Sequence, residues 1–183
     1  MAWQQTTNLT AKRYVCGYCN HVVSSAVGYH YAASDGRRQF IHICPDCSNP
    51  TYFGATTVPG VAPGNDVKHL PADVHGLYNE ARRCASVAAY TSAILACRKL
   101  LMNIAVSHGA AEGLSFLAYV EHLSNAGFVP PNGKGWVDYI RKKGNEATHE
   151  IALMTEEDST RLLAFSEMLL KFIYEFPQTI PAP

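Results

Sequence analysis

The sequence predicts a mainly α protein, a four- or five-helix bundle that carries a small β ribbon at its N-terminus. Three observations lead there. Two C-x-x-C pairs, Cys16 with Cys19 and Cys44 with Cys47, bracket a strand-like stretch. The segment from Gly54 to Leu70 holds Pro59-Gly60 and Pro63-Gly64 and has neither a helical nor a strand period. Beyond Leu70, apolar residues recur at helical spacing as far as Pro177. The chain is thereby expected to comprise a ribbon over 1–54, a linker over 55–69 and a helical bundle over 70–178.

Each C-x-x-C unit places two sulfurs on one tight turn, so both can reach one tetrahedral metal at ~2.3 Å. Residues 20–43 separate the units, slightly more than the ~15–20 of a typical ribbon. Val22 to Ala33 is rich in Val and Tyr, Gln39 to Ile43 alternates as a strand does, and Ser34-Asp35-Gly36 supplies a turn between them. So short a segment buries too little apolar surface to fold by itself, and a metal is the usual remedy. Cys16, Cys19, Cys44 and Cys47 therefore read as ligands of one structural Zn2+. A redox dithiol or two disulfides are the competing uses of such cysteines. Four thiolates complete the metal's shell and leave no position for water, so no metal catalysis is expected. His21, His30 and His42 read as surface strand residues. Arg37 and Arg38 at the turn, with Tyr29, Tyr31 and Phe40 nearby, could meet nucleic acid by charge and stacking; turn solvation is the plainer explanation.

Leu70-Pro71-Ala72-Asp73-Val74 opens the helical part. Leu77, Ala81, Cys84, Ala88, Thr91, Leu95, Leu101, Met102 and Ala105 form one stripe, which predicts a long central helix stopped by Gly109. Cys84 and Cys97 read as core thiols. A second helix, from Glu112 to Asn125, is expected to turn Leu114, Leu117, Ala118 and Leu123 inward and to end at Gly127. After a Pro130-Pro131-Asn132-Gly133 loop, a third runs from Trp136 to Glu150 with Val137, Ile140, Gly144, Ala147 and Ile151 on one side. Thr155-Glu156-Glu157-Asp158 matches a capping box, with acids at the positive helix end. The last helix carries Leu162, Leu163, Phe165, Leu169, Leu170, Ile173 and Tyr174. Its Phe165, Phe172, Ile173, Tyr174 and Phe176 are more large apolar groups than one face can hide, which suggests a partner surface beside the core-facing role.

The 183 residues are 48% apolar and 16% charged, a globular composition. Lysine and arginine balance aspartate and glutamate at 15 each, so no net field draws the chain to nucleic acid or to an anionic membrane. The N-terminus, Met1-Ala-Trp-Gln-Gln-Thr-Thr, does not match a signal peptide. The apolar stretch from Ala85 to Val106 is interrupted by Arg98, Lys99 and Asn103, so it reads as a core helix and not a membrane span. A soluble, cytoplasmic protein is the expectation.

On the third helix Arg141, Asn145 and His149 step by four and fall on one stripe. A guanidinium, an amide and an imidazole together can hold a phosphate and move a proton near neutral pH. The same residues also suit a solvated face with a capping histidine, and the chemistry alone favours that plainer use.

Leu70-Pro71, Asp73-Val74, Tyr78, Glu80-Ala81, Cys84, Arg98, Gly127, Ile140-Arg141 and Gly144-Asn145-Glu146-Ala147-Thr148-His149 resemble a prokaryotic domain family of unknown function. That family is also attached to restriction-endonuclease subunits and other defence genes, and is similar to the HEPN superfamily of helical nucleotide-binding and RNase domains. The resemblance covers roughly Leu70 to Pro177. It implies an HEPN-like bundle and, in active members, metal-independent RNA cleavage, often across a dimer, by a histidine and an arginine on the scissile phosphate. Asn145 matches the polar position and His149 the histidine, while Gly144 stands where the arginine belongs. Arg141 lies one turn earlier, with residues 142–148 between it and His149, and Lys143 has the family's spacing but not its bidentate fork. A zinc-binding accessory or interaction module with a degraded catalytic motif is the expectation, associated with RNA or DNA, forming a homodimer or joining a partner protein, and linked to phage defence or a mobile element. A metal-independent endoribonuclease is the alternative.

Overall fold

The computed structural model describes residues 3–129, 135–136, 138–139 and 153–179. The chain divides into two compact units, Met1–Ala62 and Pro63–Pro183.

The first unit is an antiparallel meander in which five strands pair in chain order: β1 (Thr7–Val15), β2 (Val22–Ala32), β3 (Arg38–Ile43), β4 (Pro50–Phe53) and β5 (Thr57–Val58). The hairpin between the cysteine pairs is present as β2 and β3, with Gly28 opposite His42 and Ala32 opposite Arg38. The strands on either side of it are what the mainly α expectation missed. β1 is mostly exposed and its Thr-, Asn- and Lys-rich sequence does not alternate; β4 is only four residues long. They pair because each cysteine turn reverses the chain and lays its outer flank beside the hairpin, Tyr14 opposite Val23 and Ile43 opposite Pro50. The predicted class is corrected accordingly: the chain holds a five-stranded sheet as well as helices, and is not a four- or five-helix bundle with a minor β appendage.

Paired residues share a face and alternate along each strand. One face carries Tyr14, Val23, Ser25, His42, Thr51 and Phe53. Tyr14 on β1 meets Phe53 on β4 with ring centroids 5.0 Å apart, although two strands lie between them in the pairing order. The sheet is therefore curled, with this face concave. The convex face carries Tyr29, Ile41, Tyr52 and Val58, and the Trp3 ring lies 6.2 Å from Tyr29.

In the second unit the described helices are α1 (Ala72–Ser86), α2 (Tyr90–Ser107), α3 (Phe116–Asn125) and α4 (Glu156–Leu170), the last running on through a π-turn and a 3-10 turn to Thr179. Tyr78, Ile94, Leu100, Leu101, Ile104, Leu123, Leu163 and Leu169 are fully buried in one core. The single long central helix of the sequence pattern is two helices. After Ser86 the chain closes a Schellman turn, in which Ala88 N–H donates to Ala85 and Ala89 N–H to Cys84, and Ala88 sits at φ 62°. The same bonds end α2 at Gly109 and α3 at Gly127, as their glycines predict. Because the break has no mark in the sequence, the predicted stripe drifts out of phase: Ala81, Leu101 and Ala105 are buried, but Ala88 and Leu95 face solvent. On α3 the inward face is Phe116, Tyr119, Val120 and Leu123, and Leu114 is exposed.

The capping box at α4 is present: Thr155 Oγ1 accepts from Asp158 N–H and Asp158 Oδ2 accepts from Thr155 N–H. Residues 63–68 are strapped to the helices of the same unit. Arg82, 4% exposed, donates to the Pro63 and Gly64 carbonyls and to Asn79 Oδ1, while Glu167 accepts from the backbone and side-chain amides of Asn65. Cys97 is fully buried and Cys84 half-buried, so both are core thiols. Phe165 is buried, whereas Phe172 and Phe176 are each 51% exposed. Among the described residues no helix is long and apolar enough to cross a membrane.

Candidate metal centre

The two C-x-x-C turns are built alike. In the first, Asn20 N–H donates to the Cys16 carbonyl and Cys16 N–H to the His21 carbonyl; in the second, Ser48 N–H donates to Cys44 and Cys44 N–H to Asn49. Asn20 and Ser48, each just after a second cysteine, both sit at φ 59°. Two copies of one turn thus face each other from the β1–β2 and β3–β4 connections.

They bring Cys16, Cys19, Cys44 and Cys47 together, with all four Sγ atoms within 4.8 Å of one another. Cys16 Sγ lies 3.7 Å from Cys47 Sγ and Cys19 Sγ lies 3.8 Å from Cys44 Sγ. A tetrahedral shell of ~2.3 Å metal–sulfur bonds has sulfur–sulfur edges of about 3.8 Å. A disulfide would need about 2.05 Å. The four cysteines fit a tetrahedral metal ion, and could hold one.

The surroundings suit bound thiolates. Cys16 and Cys44 are buried, and Cys19 and Cys47 half-buried. Burial pushes the Cys16 thiol up, against the amides of Cys19 and Tyr18 that point at its sulfur. Burial likewise takes Cys19 to about 12, against the His21 amide. Burial opposes ionisation of Cys47 too, but the Asn49 amides and the neighbouring sulfurs outweigh it and bring that thiol down to about 7. Amides aimed at sulfur stabilise the ionised form, and only a cation at the centre lets several crowded thiols ionise together. Gly17 in the first turn has a packing reason as well: a Cβ there would lie 2.2 Å from the Gly60 carbonyl oxygen.

The three histidines of this unit part company. His21 Nδ1 lies 2.8 Å from Asp46 Oδ2 and ties one cysteine turn to the other across solvent-exposed ground. His30 is exposed. His42, expected on the surface, is 3% exposed, with Nδ1 3.0 Å from the Ser25 carbonyl and its ring against Tyr14 and Phe53. Burial lowers its pKa, against the Ser25 carbonyl, which raises it. The basic and aromatic group read at the hairpin turn is also divided. Arg37 pairs with Asp35 at 2.6 Å. Tyr29 and Tyr31 pair with Ile41 and Gln39 on the convex side, and Phe40 pairs with His30 on the other.

Arg141, Asn145 and His149, with Lys143 and Gly144, lie outside the described residues, as does most of the expected third helix. Just before them, Tyr139 OH donates to Asp158 Oδ1 at 2.7 Å, and Trp136 stacks on Phe165 with centroids 6.0 Å apart.

Fold and site together define a two-unit protein, a curled sheet with a four-cysteine centre and a set of helices. The chain belongs to the DUF4145 family, a domain of unknown function, whose match spans residues 79–180. No curated protein and no solved structure matches it.

Proposed function

We propose that Cys16, Cys19, Cys44 and Cys47 hold one structural Zn2+, and that the chain is a non-catalytic accessory module associated with nucleic acid. The observation that carries the metal is the tetrahedral spacing of the four sulfurs. When bound, the ion cross-links the β1–β2 and β3–β4 turns, and its closed shell offers no position to a substrate. The first unit needs that cross-link, because among the described residues its buried hydrophobic cluster is small: Cys16, Val23 and Cys44, with Tyr14, Cys19 and Cys47 packed against it. Metal analysis of protein purified without added zinc should give about one zinc per chain, with no zinc in Cys16→Ser/Cys44→Ser. Metal-free protein with its sheet intact would refute the assignment.

The resemblance of residues 70–177 to families carried with restriction and defence genes supports a place in phage defence or a mobile element, in the cytoplasm, as a homodimer or beside a partner protein. The exposed Phe172 and Phe176 suit such a partner.

A second reading, a metal-independent endoribonuclease, is favoured by one observation. Gly144-Asn145-Glu146-Ala147-Thr148-His149 falls inside the matched residues 79–180, with Arg141 a turn before it. In that reading the 2′-oxygen attacks phosphorus as the P–O5′ bond breaks, His149 takes the 2′-hydroxyl proton and returns it to the departing 5′-oxygen, and Arg141 or Lys143 neutralises the phosphate. RNA cut in the presence of EDTA by the wild type, but not by a folded His149→Ala variant, would establish it; intact RNA across varied substrates would remove it.

A further inference from the structure

We propose that the mouth of the curled sheet is a docking surface for single-stranded nucleic acid, an inference that rests on the nucleic-acid association above and gives it a place. His30, Phe40 and Phe53 are directly paired across β2, β3 and β4, so their side chains form one row on the concave side. His30 is exposed, and the two phenyl rings are half-buried. Arg38 lies on the same face two residues along β3, opposite Ala32, and is exposed. From β1, the Lys12 ammonium stands 4.6 Å from the Phe53 ring centre. The row of rings thus has one cation at its Phe53 end and a second beside its middle, two residues along β3 from Phe40.

The charge of this unit makes those cations available. The balanced total hides an asymmetry: residues 1–62 carry Lys12, Arg13, Arg37 and Arg38 against only Asp35 and Asp46, while residues 63–183 carry 11 basic and 13 acidic side chains. Both carboxylates of the first unit are engaged, Asp35 with Arg37 and Asp46 with His21. No carboxylate of that unit remains for Lys12 or Arg38. A partner fitting this face brings negative charge at regular intervals together with flat apolar rings. A single strand has both: phosphates for Lys12 and Arg38, and bases to stack on Phe40 and His30. A duplex keeps its bases stacked inside and offers only charge. Stacking and charge do not depend on the sugar, so ribose and deoxyribose strands should bind alike.

The test uses the full zinc-loaded chain and fluorescent oligo(U) and oligo(dT) of about ten nucleotides, with affinity read by anisotropy against salt. Lys12→Ala/Arg38→Ala should weaken binding of both strands about tenfold and flatten the salt dependence by about 1.4 in log–log slope, ~0.7 for each phosphate no longer neutralised. Phe40→Ala should weaken binding about 5- to 100-fold with the slope unchanged. Phe40→Leu, which keeps apolar packing but removes the ring, should fall with it, and zinc content and circular dichroism should match the wild type. Strands that bind every variant equally would overturn this surface while leaving nucleic-acid association in place. No binding of either strand to the wild type would overturn both. Equal competition by duplex DNA or polyglutamate would reduce the face to a general anion, or acidic-protein, surface and overturn the proposal.

Discussion

Cys44 shows how much of the first unit rests on one side chain. It is 1% exposed, sits against Cys16 and Val23, and closes the second turn through its own N–H and carbonyl. Cys44→Ala should lose the zinc and the β signal together, as read by metal analysis and far-ultraviolet circular dichroism. Gly17→Ala keeps all four sulfurs but drives a methyl into the Gly60 carbonyl. We expect zinc affinity to fall about 10–100-fold in a chelator competition, the range found when the surroundings of metal ligands are disturbed. Glu167 is the informative titrating residue of the second unit. Burial alone would raise its pKa, but Lys171 at 2.5 Å and the two Asn65 amides at 2.9 Å outweigh it and hold the carboxyl below its ordinary value. The unfolded chain then binds the proton more readily than the folded one. This stabilisation is complete above the unfolded carboxyl's pKa and is lost as pH falls through the folded one. Glu167→Gln should cost about 1–3 kcal/mol near neutrality in urea titrations, and the gap to wild type should close below about pH 4. At this scale the sequence marked the four cysteines that the fold brings together, because C-x-x-C spacing is itself geometry. It did not reveal His42 as buried or Glu167 as bonded to Asn65, since those partners are 17 and 102 residues away.

Elements were legible wherever their ends are marked by local chemistry. Gly109, Gly127 and Thr155 each announce a helix end, and each does that work in the fold. The break between α1 and α2 uses the same Schellman turn with alanine in the left-handed position, so nothing in the composition marked it. Ala88 is exposed, and a glycine there would relieve the strain without a packing loss. Ala88→Gly should raise stability by about 0.5–1 kcal/mol in thermal or urea unfolding; a loss of stability would show that the turn is not strained. Thr155→Ala should cost about 1 kcal/mol by removing the acceptor for Asp158 N–H. Strands fared worse than helices. β2 is legible from its Val and Tyr content and β3 from its alternation, but β1 and β4 take their order from pairing with neighbours that the turns bring alongside.

The two units have separate buried clusters, Cys16, Val23 and Cys44 in one and residues from Val67 to Leu170 in the other. Their dependence on metal should differ in the same way. Chelation should open residues 7–58 to proteolysis and leave the helical dichroism of residues 72–170 almost unchanged. A cooperative loss of both would show that the units do not stand independently. The balance of charge is also a property of the units and not of the whole, since a positive and a negative part sum to zero. Averaging over the full chain concealed that polarity, and the fold then places Lys12 and Arg38 on the same face as one row of rings.

By itself the sequence determined the chemistry available at the centre, two pairs of thiols whose spacing lets them reach one ion, and the helix ends that carry their own caps. Both depend on residues a few positions apart, where covalent geometry does the positioning. Only the tertiary structure decided that the first unit is a curled five-stranded sheet, that the long helix is two, and which side chains share a face. Those outcomes depend on pairing, register and burial between distant segments, and a one-residue change of phase carries a side chain to the opposite face.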